Sequence, residues 1–320
     1  MQISKMGLAA EYRIVARKVG MPGERVLADW FPNLITDTGL DSVATVNSWK
    51  AYCHVGTGTL APATSDTALQ TPVASTAARS NVVNTNAGAP SYYTQSSVDY
   101  TFPVGAGTYT EVGVSNKAHT DGAQLLFSRA LIVDGGGNPT AITVLADEYL
   151  VVTYRIRIYP PLADVTGTIS IGSDIYNYTV RAAQVTSVLW DRCLEGPGYI
   201  FQFSGNNGTF ARCRCYSGAL GAITGSPGGQ IYDGTSGGTG ASVNAYVLGS
   251  YELSWNILTP FSEANGAGYI RSIQLFSYSP SGTTRGLQSY QIEFSPTVPK
   301  TVNIQLTWTL GVGWNRYVAP

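Results

Sequence analysis

Charge is scarce in this chain of 320 residues: Asp, Glu, Lys and Arg together make up 12% of it and balance to a net charge of -1. A near-neutral chain with no basic block has no electrostatic grip on a phosphate backbone, so neither DNA nor RNA is an expected partner. Histidine is nearly absent, with two copies, and there are four cysteines. Cys53, Cys193, Cys213 and Cys215 fit no zinc spacing, and Cys213 and Cys215 would share one face of a strand, so buried free thiols are expected. No run of about 18 apolar residues occurs, which excludes a membrane-spanning helix; no membrane insertion is expected. The apolar run Met6 to Ala10 is cut short by Glu11, too brief for the core of a secretion signal, and no targeting segment is evident. Helical periodicity sustained over three turns is also missing.

What the chain has instead is glycine (36) and tyrosine (20). Little charge and many aromatics is the composition of an interface core, which points to a homo-oligomer. Near the start, Glu11 to Lys18 and Arg25 to Phe31 alternate apolar with polar about the turn VGMPGE, a β-hairpin. Pro32 to Val43 is the best helix candidate, capped by Thr36 or Asp37 and weakened by Gly39. Trp49 to Val55 reads as a strand. Gly56 to Pro90, rich in Ala, Thr, Ser and Asn, reads as a long surface loop. Strands then dominate to Tyr159, and Pro160-Pro161 breaks the ladder. Beyond it, Val165 to Ile171 and Ile175 to Val180 flank a tight Gly172-Ser173-Asp174 turn. Tyr199 to Phe203 and Thr209 to Tyr216 flank Gly205-Asn206-Asn207-Gly208, and Gly218 to Gly240 is a second low-complexity loop.

The second half repeats the plan of the first. Val98-Tyr100-Phe102 and Leu253-Trp255-Ile257 are aromatic strands, each followed by a Gly/Ala turn and a second strand, at Tyr109 to Val114 and Tyr269 to Leu275. Ala141 to Ile158 then matches Tyr290 to Leu310, strand, turn and long strand, and the two long loops fall at the same point of each copy. The predicted fold is therefore all-β: two tandem antiparallel β-sandwich (jelly-roll-like) domains with an N-terminal β-hairpin. The divisions are 1–31 for the hairpin, 32–161 for the first sandwich and 162–320 for the second, a duplication of the first.

Catalytic signals are thin. Cys53 and His54 are neighbours, but adjacent strand residues face opposite ways, and His54 and His119 read as structural. Asp147-Glu148 reads as a solvated turn rather than an acid pair for glycoside cleavage. Gly56-Thr57-Gly58 lacks the context of a phosphate loop, and Asp134 to Asn138 reads as a hairpin end rather than a calcium loop. No catalytic residue, cofactor or metal is assigned, and the chain is not expected to be an enzyme. Tyr92, Tyr93, Tyr269, Trp308, Trp314 and Tyr317 are candidates for stacking on a glycan or filling an interface, with core packing as the plainer reading.

Several strings resemble tail and fibre-associated proteins of tailed bacteriophages: DWFPNLITDTGLD from Asp29 to Asp41, CHVGTGT from Cys53 to Thr59, Pro62, and Asp66 to Leu69. Glu111 to Val114, Leu126 to Leu131, the strand ending at Tyr159-Pro160-Pro161, Phe294 to Thr301 and Trp314 to Arg316 fit the same pattern. These are fold-building motifs, not a catalytic signature. The resemblance implies a virion structural protein of the tail, collar, baseplate or fibre attachment, assembled in the host cytoplasm with other phage tail, collar or baseplate proteins. Shaft repeats and coiled coils, which long fibres carry, are missing, favouring a compact attachment or collar-type piece. Glu11, Tyr12, Arg13, Arg25, Trp30 and Phe31 of the hairpin are the candidate docking segment. The rival roles are recognition of a host surface glycan and decoration of the capsid as a head-fibre protein.

Overall fold

The computed structural model describes residues 2–46, 49–186, 210–233, 241–278 and 289–317. Among them are twenty-one strands and one short helix, so the chain is all-β, as its patterning predicts. The first half holds β1 (Gln2–Lys18), β2 (Arg25–Pro32), β3 (Leu34–Ile35), α1 (Asp37–Thr45), β4 (Tyr52–Gly56), β5 (Pro72–Thr76) and β6 (Arg79–Ala87). It continues with β7 (Tyr93–Val104), β8 (Gly107–Tyr109), β9 (Glu111–Ser115), β10 (Leu126–Leu131), β11 (Ile142–Val144) and β12 (Glu148–Tyr159). The second half holds β13 (Val165–Ile171), β14 (Asp174–Ala183), β15 (Phe210–Tyr216), β16 (Gln230–Asp233) and β17 (Ala241–Val243). It closes with β18 (Glu252–Thr259), β19 (Tyr269–Tyr278), β20 (Ser289–Pro299) and β21 (Leu306–Arg316).

An eight-stranded sheet runs β17-β18-β21-β1-β12-β7-β6, with β2 also paired to β1. A five-stranded sheet runs β3-β10-β9-β4-β5, a six-stranded one β13-β14-β20-β19-β15-β16, and β8 with β11 forms a small pair. Aromatic side chains join the sheets. The Tyr12 hydroxyl meets Ser128 Oγ at 2.8 Å, and Phe294 stacks on Trp308 at 5.0 Å.

The seam of the molecule is β1. Along one edge, Gly7 to Lys18 pair antiparallel with Tyr159 to Glu148 of β12. The other edge is shared: Gln2 to Leu8 pair parallel with Gly311 to Arg316 of β21, and Glu11 to Ala16 pair with β2. Two-residue alternation makes this possible, since Met6, Leu8, Ala10, Tyr12 and Ile14 all face the core while the residues between them face outward. The predicted hairpin from Glu11 to Phe31 exists, but it is not a separate appendage. Its first strand begins nine residues earlier, at Gln2, and carries the ladder of both halves. Nor does the eight-stranded sheet stop at Pro160-Pro161, for it draws strands from both sides of that point.

About this seam part of the strand order of the two halves runs parallel, with β2, β8, β11 and β13 outside the match. In the large sheet β12, β7 and β6 lie on one side of β1 as β21, β18 and β17 lie on the other. In the remaining sheets β3-β10-β9-β4-β5 matches β14-β20-β19-β15-β16, with the same chain order and antiparallel pairing throughout. Because β1 is antiparallel to β12 and parallel to β21, those two strands run in opposite directions. One pairing differs from the sequence reading: the position of the strand at Tyr290 is matched by β10, not by the short strand after Ala141, because β10 and β20 both sit beside the strand that precedes them.

Other expectations are shifted by tertiary contacts. The Gly56 to Pro90 stretch is not a free loop but includes β5 and β6. The helix spans Asp37–Thr45, with Thr36 as its cap accepting from Gly39 N. Gly39, a weak helix former, is needed there because a side chain would run into the Phe127 backbone. The predicted strand at Tyr199 to Phe203, its Gly205 to Gly208 turn and Cys193 lie outside the described residues.

Trp314 on β21 is fully buried and its indole Nε1 donates to Leu40 O of α1 at 2.8 Å, tying the last described strand to the first half. Truncation of Trp314 to Ala is expected to cost about 3–5 kcal/mol. Amide exchange should show lost protection in β9 and β10 as well as in β18 and β21. Protection lost in the second half alone would mean that the seam does not couple the halves.

A tyrosine cleft at the seam as the candidate functional site

The outward positions of four adjacent strands converge where β1 meets β21. Alternation puts Tyr93 and Gln95 of β7, Arg155, Arg157 and Tyr159 of β12, Lys5, Gly7 and Glu11 of β1, and Asn315 of β21 on one face. Gly7 lies opposite both Tyr159 and Asn315. Just past β21, Tyr317 N donates to Leu8 O at 2.8 Å, which folds the Tyr317 ring across Gly7. A side chain at Gly7 would meet Tyr317 Cδ2 at 2.5 Å, so glycine is required there by close approach. Tyr317 and Tyr159 stack face to face over that glycine at 3.8 Å and 11°, and Tyr93 leans on Tyr159 at 5.6 Å.

These rings, with Tyr92, Pro90, Ser91, Lys5 and Arg316, line an open cleft of about 900 Å³. A second cavity of about 370 Å³ adjoins it through Tyr159, Arg316 and Tyr317, and reaches Glu11, Asn33, Arg155 and Arg157. The Arg157 guanidinium lies 5.0 Å from the Tyr93 ring centre and donates to Gln95 at 2.9 Å. Arg155 lies over the Trp30 ring at 3.6 Å. Burial raises the Tyr159 phenol above its usual range against the opposing pull of Arg157, so the ring stays a neutral donor at physiological pH.

Of the six aromatics singled out in the sequence, Tyr92, Tyr93 and Tyr317 meet in this cleft. Trp308 and Trp314 do not reach solvent: both have no exposed surface and belong to the core, because they share the inward register of Leu306, Leu310 and Val312. Tyr269 is exposed and lies elsewhere, at the start of β19. The docking candidates divide by the same parity. Tyr12 and Phe31 are buried against each other, whereas Glu11, Arg13, Arg25 and Trp30 face outward or lie at the sheet edge. Tyr159 and Arg157 went unmarked in the sequence, since their place in the cleft depends on the β1–β21 pairing.

The other chemical candidates resolve into structure. Asp147 is paired with Lys18, and Glu148 with Arg25, which holds the Glu148 carboxyl below its usual range. Asp134 Oδ1 closes its own turn by accepting from Gly136 N and Asn138 N at 2.8 and 3.0 Å. Cys53, Cys213 and Cys215 are buried free thiols, and burial raises the Cys53 thiol far above its usual range. Among the described residues no three His, Cys, Asp or Glu side chains are grouped to hold a metal.

A buried ion network pins the loop that follows β4. Arg129, nearly enclosed, donates to Glu111 at 2.9 Å, to Asp66 at 2.7 Å and to Leu60 O at 2.9 Å. The fully buried Glu111 also accepts from Gly58 N, Gln70 N and Thr71 N at 3.0, 3.1 and 2.7 Å. His54 is fully buried too, with Nε2 2.8 Å from Lys117 O and 2.9 Å from Ser115 Oγ and with Nδ1 unpaired. Its ring lies 6.2 Å from that of His119, which meets Ser75 Oγ at 2.9 Å. Burial holds His54 neutral, with its pKa lowered to about 4.

No protein-family model matches this chain, and neither a characterised protein nor a solved structure shows significant similarity to it.

Two measurements follow from the buried groups. Glu111→Gln should destabilise the chain by about 1–3 kcal/mol, because the enclosed Arg129 then keeps Asp66 as its one carboxylate partner, while the double replacement Glu111→Gln with Arg129→Met, which keeps an acceptor for the loop amides, should cost less than the single one. Equal or greater loss in the double variant, read from urea unfolding, would remove the ion pair as the cause. For His54 the folded pKa lies below the unfolded one, so the unfolded chain binds the proton first as pH falls. Stability is unaffected above about pH 6.5 and declines between about 6.5 and 4, by at most about 3 kcal/mol. His54→Gln should flatten that decline in urea midpoints taken across this window, and an unchanged slope would assign the acid sensitivity to other groups.

Proposed function

We propose that this chain is a structural component of a tailed-phage virion, of the tail, collar, baseplate or fibre attachment, acting by homo-oligomeric assembly. We read each half as a β-sandwich, jelly-roll-like in plan, the two standing in tandem as a duplication that shares β1. One observation carries the structural reading. The strings that resemble phage tail and fibre-associated proteins lie far apart in the chain, yet Gly58, Asp66, Glu111 and Arg129 from four of them form a single buried network that fastens a loop to a sheet. Residues that fasten a loop in this way build a scaffold, and two strands far apart in the chain that lie side by side in one continuous sheet suit a mechanical part. The role is non-catalytic, and its partners are further copies of itself and neighbouring tail, collar or baseplate proteins, within the virion assembled in the host cytoplasm.

A second reading, recognition of a host surface glycan, is favoured by the tyrosine cleft. It is compatible with assembly, because the cleft and the hairpin tip are separate surfaces. Docking fits the outward part of the hairpin: Val19 and Met21 at its tip are more than half exposed, and Trp30 is partly so.

Immunogold electron microscopy of intact particles, with antibody against the purified chain, tests the assignment. Label at the tail, collar or baseplate supports it; label spread over the head would make the chain a capsid decoration or head-fibre protein, and no label on accessible particles overturns the virion role. Val19→Glu with Met21→Glu should leave the folded protein intact and lower its copy number in particles several-fold. Normal copy number in that variant would exclude docking through the hairpin tip.

A further inference from the structure

We infer that the tyrosine cleft binds an acidic saccharide, its rings taking the sugar faces and its arginines the carboxylate. The inference rests on the glycan-recognition reading and names the class of glycan.

The first ground is the balance of charge. In a chain with 19 Lys and Arg and a net charge of -1, Lys5, Arg155, Arg157 and Arg316 all line the two adjoining cavities, against one lining carboxylate, Glu11. Two of these cations share one anion: Arg155 and Arg157, the latter at 3.4 Å, both reach the same Glu11 oxygen, Oε2. Two guanidinium groups on one carboxylate leave a positive charge uncompensated. Arg316 is matched by Asp37 and Lys5 by Glu252 at 3.5 Å, so the excess centres on Arg155 and Arg157 at the Tyr93 and Tyr159 end of the cleft. A carboxylate brought by a ligand would complete this set, with the planar guanidinium geometry that favours it.

The second ground is the kind of wall. Half-exposed Tyr92, Tyr93 and Tyr317 present flat apolar faces with polar edges, and exposed Ser91 and Asn315 supply hydroxyl and amide groups beside them. Sugars present the complementary pattern, an apolar C–H face rimmed by hydroxyls. A single-stranded nucleic acid also stacks on aromatics, but it needs a basic track along its backbone. The excess here is one charge at one end, which suits an isolated carboxylate.

The test uses the full chain and isothermal titration calorimetry. The probes are uronate- and sialate-bearing oligosaccharides, the methyl esters of the same oligosaccharides, and an oligothymidylate. The acids should bind with Kd of about 1 mM or tighter and the esters about tenfold more weakly. Arg157→Gln should abolish that discrimination, and Tyr93→Ala should weaken both about tenfold; circular dichroism and melting of each variant confirm that it is folded. Esters bound as tightly as acids would overturn the acidic preference and leave glycan recognition standing. If no saccharide binds at about 10 mM, a range in which weak lectin sites still register, both fail while the assembly role keeps its own test. Tighter binding of oligothymidylate would assign the cleft to nucleic acid and overturn the inference.

Discussion

A β-strand has two edges, and the use β1 makes of them governs the molecule. One edge serves β12 over twelve residues, while the other is divided, its first part to β21 and its second to β2. Buried backbone amides and carbonyls must be paired, so a strand in the middle of a sheet has to find partners along its whole length. By taking one partner from each half, β1 satisfies its own ladder and closes the ladder of both halves. The apolar residues it sends inward, Met6, Leu8, Tyr12 and Ile14, belong to one core cluster with Phe127 and Tyr154 of the first half and Trp308 and Trp314 of the second. The hydrogen bond from Trp314 to α1 and the ion pair of Arg316 with Asp37 add side-chain ties across the same seam.

The two halves solve one local problem by different means. In each, a loop leaves the strand in the β4 or β15 position and must be held to the sheet. In the first half Glu111 and Arg129 do this as a buried ion pair. At the matching register in the second half stand Ser272 and Gln291. Ser272 donates to Gly218 O at 2.7 Å, and Gln291 accepts from Gly221 N at 2.7 Å and donates to Gly221 O and Ala222 O. What both retain is the hydrogen bonding of loop backbone; charge is dispensable. Buried ions carry a desolvation cost that a neutral amide largely avoids, so the neutral version is the less demanding way to fasten the loop. The charged version adds a third element, Asp66, from within the loop itself, and so fixes the loop's path at more points.

Strand character was legible in the sequence because it is local. Alternation in Glu148 to Tyr159 or Leu306 to Arg316 repeats every two residues, and the structure keeps it with the same residues inward. The same alternation holds the signal that Trp308 and Trp314 belong to the core, since they share parity with Leu306, Leu310 and Val312. The aromatic character of those positions invites a binding role that their register excludes. Pairing partners were not legible. Nothing near Gly7 announces that Asn315 will lie beside it, because parallel pairing between the first and last described strands has no turn and no short-range signal. The cleft inherits that opacity: Tyr92, Tyr93 and Tyr317 were marked as rings, but Tyr159, Arg157 and Gly7 become part of a site only once the strands are in order. Gly39 shows the opposite limit, where a propensity argument against the helix is outweighed by the close approach of the Phe127 backbone.

The position of the cleft follows from the same constraint as the fold. Where the parallel segment of β1 and β21 ends, Tyr317 crosses Gly7 to reach Tyr159, and the sheet surface dips between β7 and the chain beyond Pro161. A concave surface on a sheet needs a break in the row of side chains, and glycine at the centre of the large sheet supplies it. The two rings over Gly7 then serve twice: they cover a backbone that would otherwise lie bare, which stabilises the seam, and they form the floor of the cleft. A substitution that alters the floor therefore also loosens the seam, so the site can vary freely only at its rim. Tyr93 and Arg157 are rim residues by this criterion, attached to strands whose pairing does not depend on them, and they are where the lining of the cleft can change without cost to the scaffold.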